Sequence, residues 1–199
     1  REEPGLEPYR HYFAEQTRMR DFTLSEREEQ LLAMASEPLA KFSNVFSSLN
    51  NADLEFGTIE NEAGDSVPLT KSSYGAFLTS GDRRVRRDAW IGLFTQYERL
   101  GNTLASNYEG HVKGRVFDAR ARGFDSALHA ATYKSAIPIE VYQNLLAAVR
   151  DGVEPLQKYL QLRKQRLGVE QLEVWDLYAP MVEPAFSDIS FEDAKTMVA

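Results

Sequence analysis

From Leu6 the apolar positions Leu6, Tyr9 and Phe13 recur at steps of three and four residues and the pattern carries on to Met19, which predicts a first helix. Ser25-Glu26-Arg27-Glu28 then reads as a capping box, in which the Ser25 hydroxyl accepts from the Glu28 backbone while the Glu28 carboxylate reaches back to Ser25. The helix that starts there, through Leu31, Leu32 and Met34, is expected to end near Ser36, because Pro38 has no N–H to donate to the preceding turn. A further helix over Lys41 to Leu49 carries the stripe Phe42, Val45, Phe46 and Leu49 and is expected to stop at Asn50-Asn51. The period then changes to two over Asp53 to Ile59, and a second short run, Ser66 to Leu69, follows the turn Glu62-Ala63-Gly64-Asp65. That pattern predicts one β-hairpin, with Pro68 confined to an edge or a strand end.

Beyond a short helix around Tyr74, Phe77 and Leu78, the pair Gly81-Asp82 ends one helix and caps the next. Apolar positions from Val85 to Val116 then step by three and four without a proline, enough for a single helix of about 60 Å. Gly101, Gly110 and Gly114 weaken it by roughly 1 kcal/mol each relative to alanine and open room for a neighbouring helix to approach. Gly123 breaks the pattern, Asp125 or Ser126 caps a short helix over Ala127 to Tyr133, and Pro138 opens the next. Its stripe continues from Val141 to Leu167, with a kink or split expected near Asp151-Gly152 because of Pro155. Gly168 terminates it, Glu173 to Pro180 reads as extended or loop, and Ser190 caps a last helix.

Composition sharpens this picture. With 43% hydrophobic residues and 11 Phe, 9 Tyr and 2 Trp spread along 199 residues, the chain is globular rather than disordered. A charge of -7 argues against a general nucleic-acid binder, and no apolar run reaches the roughly 20 residues of a membrane-spanning helix. The start Arg1-Glu2-Glu3-Pro4 resembles neither a signal peptide nor an initiator methionine, so the chain is expected to be part of something longer.

Zero cysteines exclude disulfide scaffolds, thiolate metal sites and cysteine nucleophiles. The three histidines, His11, His111 and His129, supply no H-E-x-x-H, so no two imidazoles share one helical face a turn apart. His11 with Glu15 is expected to be a solvated pair, and His111 and His129 packed or hydrogen-bonded side chains. Phosphate loops, dinucleotide fingerprints and the nucleophile elbow are missing as well. The basic runs Arg83-Arg84, Arg86-Arg87 and Arg163-Lys164, Arg166 are expected to be solvated faces with local ion pairs, and Glu98, Glu109 and Asp118 scattered surface acids.

The ordered series Pro8-Tyr9-Arg10-His11-Tyr12-Phe13, Leu24 to Glu29, Leu49-Asn50-Asn51-Ala52-Asp53-Leu54-Glu55-Phe56 and Asp82 to Arg87 resembles oligoendopeptidase F, of the thimet-type zinc oligopeptidases. The likeness continues through Asp125 to Leu128, Ile137 to Tyr142, Tyr159 to Lys164 and Asp176-Leu177-Tyr178-Ala179-Pro180. The resemblance implies a mainly α fold: a multi-helix lobe with one long helix and a small β-hairpin, part of a larger two-lobed, channel-forming metallopeptidase that cleaves short peptides. It implies zinc held by the two histidines of H-E-x-x-H and a glutamate on a following helix, which the family places downstream of the region matching Ser190 to Val198, with the motif's own glutamate activating the metal-bound water.

No residue of this chain is therefore assigned a catalytic or metal-binding role, and its substrate-binding residues are left unknown. Residues 1–70 are expected to hold the N-terminal-lobe helices and the start of the hairpin region, and residues 71–199 the leading helices of the peptidase region. The expected partners are short peptides and the missing catalytic half, with no nucleic acid and no membrane; the expected location is the cytoplasm. Tyr178 and Asp176, on a non-helical segment, are candidates for touching peptide, against the plainer expectation of a packed tyrosine and a capping or turn aspartate. Two other classes stay open: a non-catalytic helical module that binds peptides or partners, and RNA binding through the arginine-rich helix start, which would show as steeply salt-dependent association.

Overall fold

The computed structural model describes residues 5–182 and 189–198; Arg1 to Pro4 and Ala199 lie outside them. Among the described residues the chain is mainly helical with one antiparallel hairpin, as its pattern predicts. Helix α1 (Arg10–Arg18) follows a short 3-10 turn. Helix α2 starts at the expected capping box, with the Ser25 N–H donating to Glu28 Oε2 at 2.9 Å, and it runs unbroken over Glu26–Ser48. The predicted stop near Ser36 and the restart at Lys41 are wrong. Pro38 lies inside the helix, and the turn whose bond it forgoes is solvent-facing: Met34 is 70% exposed, so water can satisfy the freed carbonyl. The helix closes in a π-type turn at Leu49–Asp53, where the Leu54 N–H donates to the Leu49 carbonyl at 3.0 Å.

Strands β1 (Thr58–Glu60) and β2 (Ser66–Pro68) pair with Ile59 opposite Val67 and Thr58 opposite Pro68. They are shorter than the alternating run predicts, because the π-type turn and Gly57 at φ +73° take the residues before Thr58. Pro68 ends β2, as expected. Thr70 caps α3 (Lys71–Leu78), and Asp82 caps α4 (Arg83–Arg99) by accepting from the Arg84 N–H at 2.8 Å.

The single long helix predicted beyond Asp82 is two: α4 gives way to α5 (Gly101–Ala121) at Leu100, whose φ of -101° and ψ of 12° leave the helical region. Gly101, which gains least from helical geometry, is where that break is cheapest. Gly123 at φ +82° ends α5, and Ser126 caps α6 (Ala127–Tyr133) by accepting from the His129 N–H at 3.0 Å. The expected split separates α7 (Ile139–Asp151) from α8 (Val153–Leu167) at Gly152. Pro155 falls in the first turn of α8, where backbone donors have no helical acceptor to lose. A 3-10 turn (Val174–Asp176) and α9 (Phe191–Val198) complete the order.

The chain divides into two compact units, each drawn from two stretches: Arg1–Glu55 with Gln96–Glu154, and Phe56–Thr95 with Pro155–Ala199. In the first, α2 packs on α5. A Cβ added at Gly110 would overlap the Phe42 ring and one at Gly114 would lie 3.2 Å from Leu39 Cδ2, so these glycines do permit the close approach the sequence predicts. The Arg122 guanidinium grips the Glu29 carboxylate with two bonds of 2.7 and 3.0 Å, and Phe22 stacks on Phe124 at 3.7 Å between ring centres. Helix α7 presents Val141, Tyr142, Leu145, Leu146 and Val149 along one side, all of them exposed. In the second unit Phe56, Ile59, Leu69, Leu78, Val85, Ala89 and Leu93 form a buried core.

Candidate functional site

The side chains with the most demanding electrostatics lie in the second unit, where the first turns of α4 meet the 3-10 turn at Val174–Asp176. Asp176 is fully buried. Its carboxylate accepts from Arg83 Nε at 3.0 Å and Nη2 at 2.8 Å, from Arg86 Nη2 at 3.0 Å and from the Glu173 N–H at 3.0 Å. Burial alone pushes this carboxyl up, but bonds from Arg83, the Glu173 backbone and Arg86 outweigh it and hold the carboxyl down at about 2. Arg86, only 4% exposed, also donates to the carbonyls of Ser80 at 2.8 Å, Gly81 at 3.1 Å and Trp175 at 3.2 Å. Arg163, on α8 and likewise buried, donates from Nη1 to the carbonyls of Asp176 at 3.0 Å and Ala179 at 2.7 Å, and from Nη2 to the Tyr159 hydroxyl at 2.8 Å.

This corrects the reading of the basic runs as solvated faces. Arg86 and Arg163 are internal, because a guanidinium presents up to five donors and the carbonyls of an irregular turn need donors. Arg84 and Arg87 keep the expected surface role: Arg84 reaches the Glu60 and Asn61 carbonyls and Asp82, and Arg87 pairs with Asp88. Asp176 is the turn aspartate of the plainer expectation. Tyr178, two residues on, is 63% exposed rather than packed.

An aromatic row runs beside the clamp. Trp175 and Trp90 have ring centres 5.6 Å apart, Trp90 and Phe94 4.8 Å, and Phe94 and Tyr74 6.4 Å edge-on. Burial pushes the Tyr74 phenol up, and the neighbouring Tyr178 adds to the rise. The i, i+4 spacing of Trp90 and Phe94 was legible in the sequence; their continuation onto Trp175 was not.

The histidines are brought to no common site. His11 faces Glu15 at 3.3 Å on the surface, the solvated pair expected. His111 is half-buried and meets Ser43 Oγ at 3.3 Å, in a groove of about 420 Å³ between α2 and α5 lined also by Phe42, Phe46 and Tyr108. His129 is half-buried among Phe22, Phe124 and Tyr133; its Nδ1 lies 3.3 Å from the Asp125 carboxylate but makes no aligned hydrogen bond. Among the described residues no group of three or more His, Cys, Asp or Glu can hold a metal ion. The donor set therefore does not fit zinc.

Residues 1–56 match the family Oligopeptidase F and residues 76–197 match Peptidase family M3. The chain belongs to peptidase family M3, a family of metallopeptidases. It is 39% identical over 194 residues to Oligopeptidase PepF of Bacillus subtilis (strain 168), covering 98% of this chain and 29% of that protein. It is 34% identical over 190 residues to Group B oligopeptidase PepB of Streptococcus agalactiae, covering 96% and 31%. The crystal structure of oligoendopeptidase-F from Enterococcus faecium superposes with a TM-score of 0.85 at 44% identity, over 90% of this chain and 34% of that one. The chain thus spans about 30% of its curated relatives and matches their N-terminal part. Among the described residues no helix is long and apolar enough to cross a membrane.

Proposed function

We propose that this chain is the N-terminal portion of a cytoplasmic zinc oligoendopeptidase that hydrolyses short peptides, and that it forms one wall of the substrate channel. Residues 1–70 belong to the N-terminal lobe and residues 71–199 to the leading helices of the peptidase region. The observation that carries this reading is continuity: two family matches run in order along nearly the whole chain, and relatives named oligopeptidase align over 98% and 96% of it. Zinc belongs to the rest of the parent protein, since no group among the described residues fits it. The 199 residues alone bind no zinc and cut nothing.

The test is metal analysis and a quenched-fluorescent peptide assay on the full-length protein and on this chain. Chelator-sensitive cleavage by the full-length protein alone is the expected result, and cleavage by the 199 residues alone would refute the assignment. The exposed apolar side of α7 favours a second reading, a non-catalytic helical module that binds peptides or partners. An encoded sequence that continues into H-E-x-x-H decides for the enzyme.

A further inference from the structure

We propose that the seam between α2 and α5 is a binding site for a small aromatic carboxylate, distinct from peptide cleavage and independent of the oligopeptidase reading. The two helices run antiparallel: Phe42 meets Gly110, Ser43 meets His111 and Leu39 meets Gly114. Steps of three and four residues put Leu104, Tyr108, His111 and Arg115 along one side of α5. All of these residues belong to the first unit.

Two cavities follow the seam, and Ser43 and His111 line both. One, of about 420 Å³, is walled by Phe42, Phe46, Leu104 and Tyr108, and none of its lining residues carries a fixed charge. Its floor is held in place, since the Phe42 ring packs on Gly110 and Asn107 Nδ2 donates to the Phe42 carbonyl at 2.9 Å. The other, of about 250 Å³, is lined by Leu39 and Gly114 and by two charged side chains, Arg115 and Asp118. Asp118 is answered by Arg122 Nε at 3.2 Å, whereas Arg115 has no ion pair or hydrogen bond among the described residues.

A mainly apolar cavity of a few hundred Å³ with a few placed polar groups is the usual form of a small-molecule site. Here the polarity is graded along the seam: aromatic at Phe46 and Tyr108, hydrogen-bonding at Ser43 and His111, cationic at Arg115. The complementary ligand carries a ring at one end and a carboxylate at the other. Its ring lies against the exposed faces of Phe46 and Tyr108, and its carboxylate accepts from the Arg115 guanidinium. Tyr108 and Arg115 are about 10 Å apart along the helix axis, and helical side chains lean toward the helix N-terminus, which brings Arg115 back toward the turn of His111. A short alkyl link between ring and carboxylate suits that spacing.

The test is calorimetric titration of the full-length protein with phenylpropanoate, with its neutral amide, and with butanoate, which keeps the carboxylate and lacks the ring. The acid is expected to bind about fivefold more tightly than the amide and to weaken as salt is added, and butanoate is expected not to bind measurably. Arg115→Gln is expected to bring the acid down to the affinity of the amide, and Tyr108→Ala to weaken both about fivefold. Both side chains are exposed, so thermal melts of the two variants are expected to match the wild type. Failure of the acid to bind overturns the proposal. So does binding that both substitutions leave unchanged, the result if the acid settles on the parent protein's metal instead. An amide bound as tightly as the acid overturns the assignment of an anionic ligand.

Discussion

The two units of the chain are built from similar helical stripes and end up with different interiors. Among the described residues Phe56, Ile59, Leu69, Leu78, Val85, Ala89, Leu93 and Ala179 are buried in the second unit, against Ala119 and Phe124 in the first. The second unit buries a charged centre as well as apolar side chains, whereas the first leaves Val45, Phe46, Tyr108, Leu145 and Val149 exposed along its helices. Periodicity marks which side of a helix is apolar; it says nothing about what covers that side.

The contrast can be broken most directly at the charged centre. Asp176→Ala leaves Arg86 buried without its carboxylate and removes the partner of Arg83, and is expected to destabilise the second unit by about 3–5 kcal/mol, read as a lower urea midpoint. Glu29→Gln, which removes the charge from the Arg122 pair in the first unit, is expected to shift the midpoint less, because that pair is partly exposed. Acid sharpens the same point. Held at about 2 against an ordinary value near 3.8, the Asp176 carboxyl contributes about 2 kcal/mol that is fully present above about pH 4 and is lost as the pH falls through 2. Stability measured across that window is expected to fall steeply in the wild type and to flatten in Asp176→Asn.

In the first unit the sensitive place is the α2–α5 contact. Gly110→Ala gains about 1 kcal/mol of helix propensity but forces a methyl into the Phe42 ring, so a net loss of about 1–2 kcal/mol is expected in thermal melts. The smallest effect on stability is expected at α7. Leu145→Glu changes folding free energy by no more than about 0.5 kcal/mol, yet it should sharply reduce binding of a hydrophobic dye to the 199-residue chain. A buried Leu145 would instead make that change strongly destabilising.

Much of the local structure was written in short-range signals. The Ser25 capping box, the Ser126 cap, the helix ends at Gly123 and Gly168 and the split before Pro155 each depend on neighbours within a turn or two, and each is found where expected. Pro38 misled because the cost of a proline depends on whether the freed carbonyl meets water, which local sequence does not record. The clamp was illegible for another reason: Arg83 and Arg86 find Asp176 across 93 and 90 residues, and a charge pattern has no periodicity that links such partners.

The interleaving of the two units has a consequence for synthesis. Residues 56–95 leave the ribosome well before the stretch that completes their unit, and at roughly 5–20 residues per second the intervening residues 96–154 take about 3–12 s to appear. By the end of that interval the first unit has all of its sequence, while Arg83 and Arg86 still have no Asp176 to meet. The nascent chain is therefore expected to settle its earlier-finished unit first and to lock the later one only when the Val174–Asp176 turn emerges, a sequence of events that neither unit, cut out as a continuous piece, could reproduce.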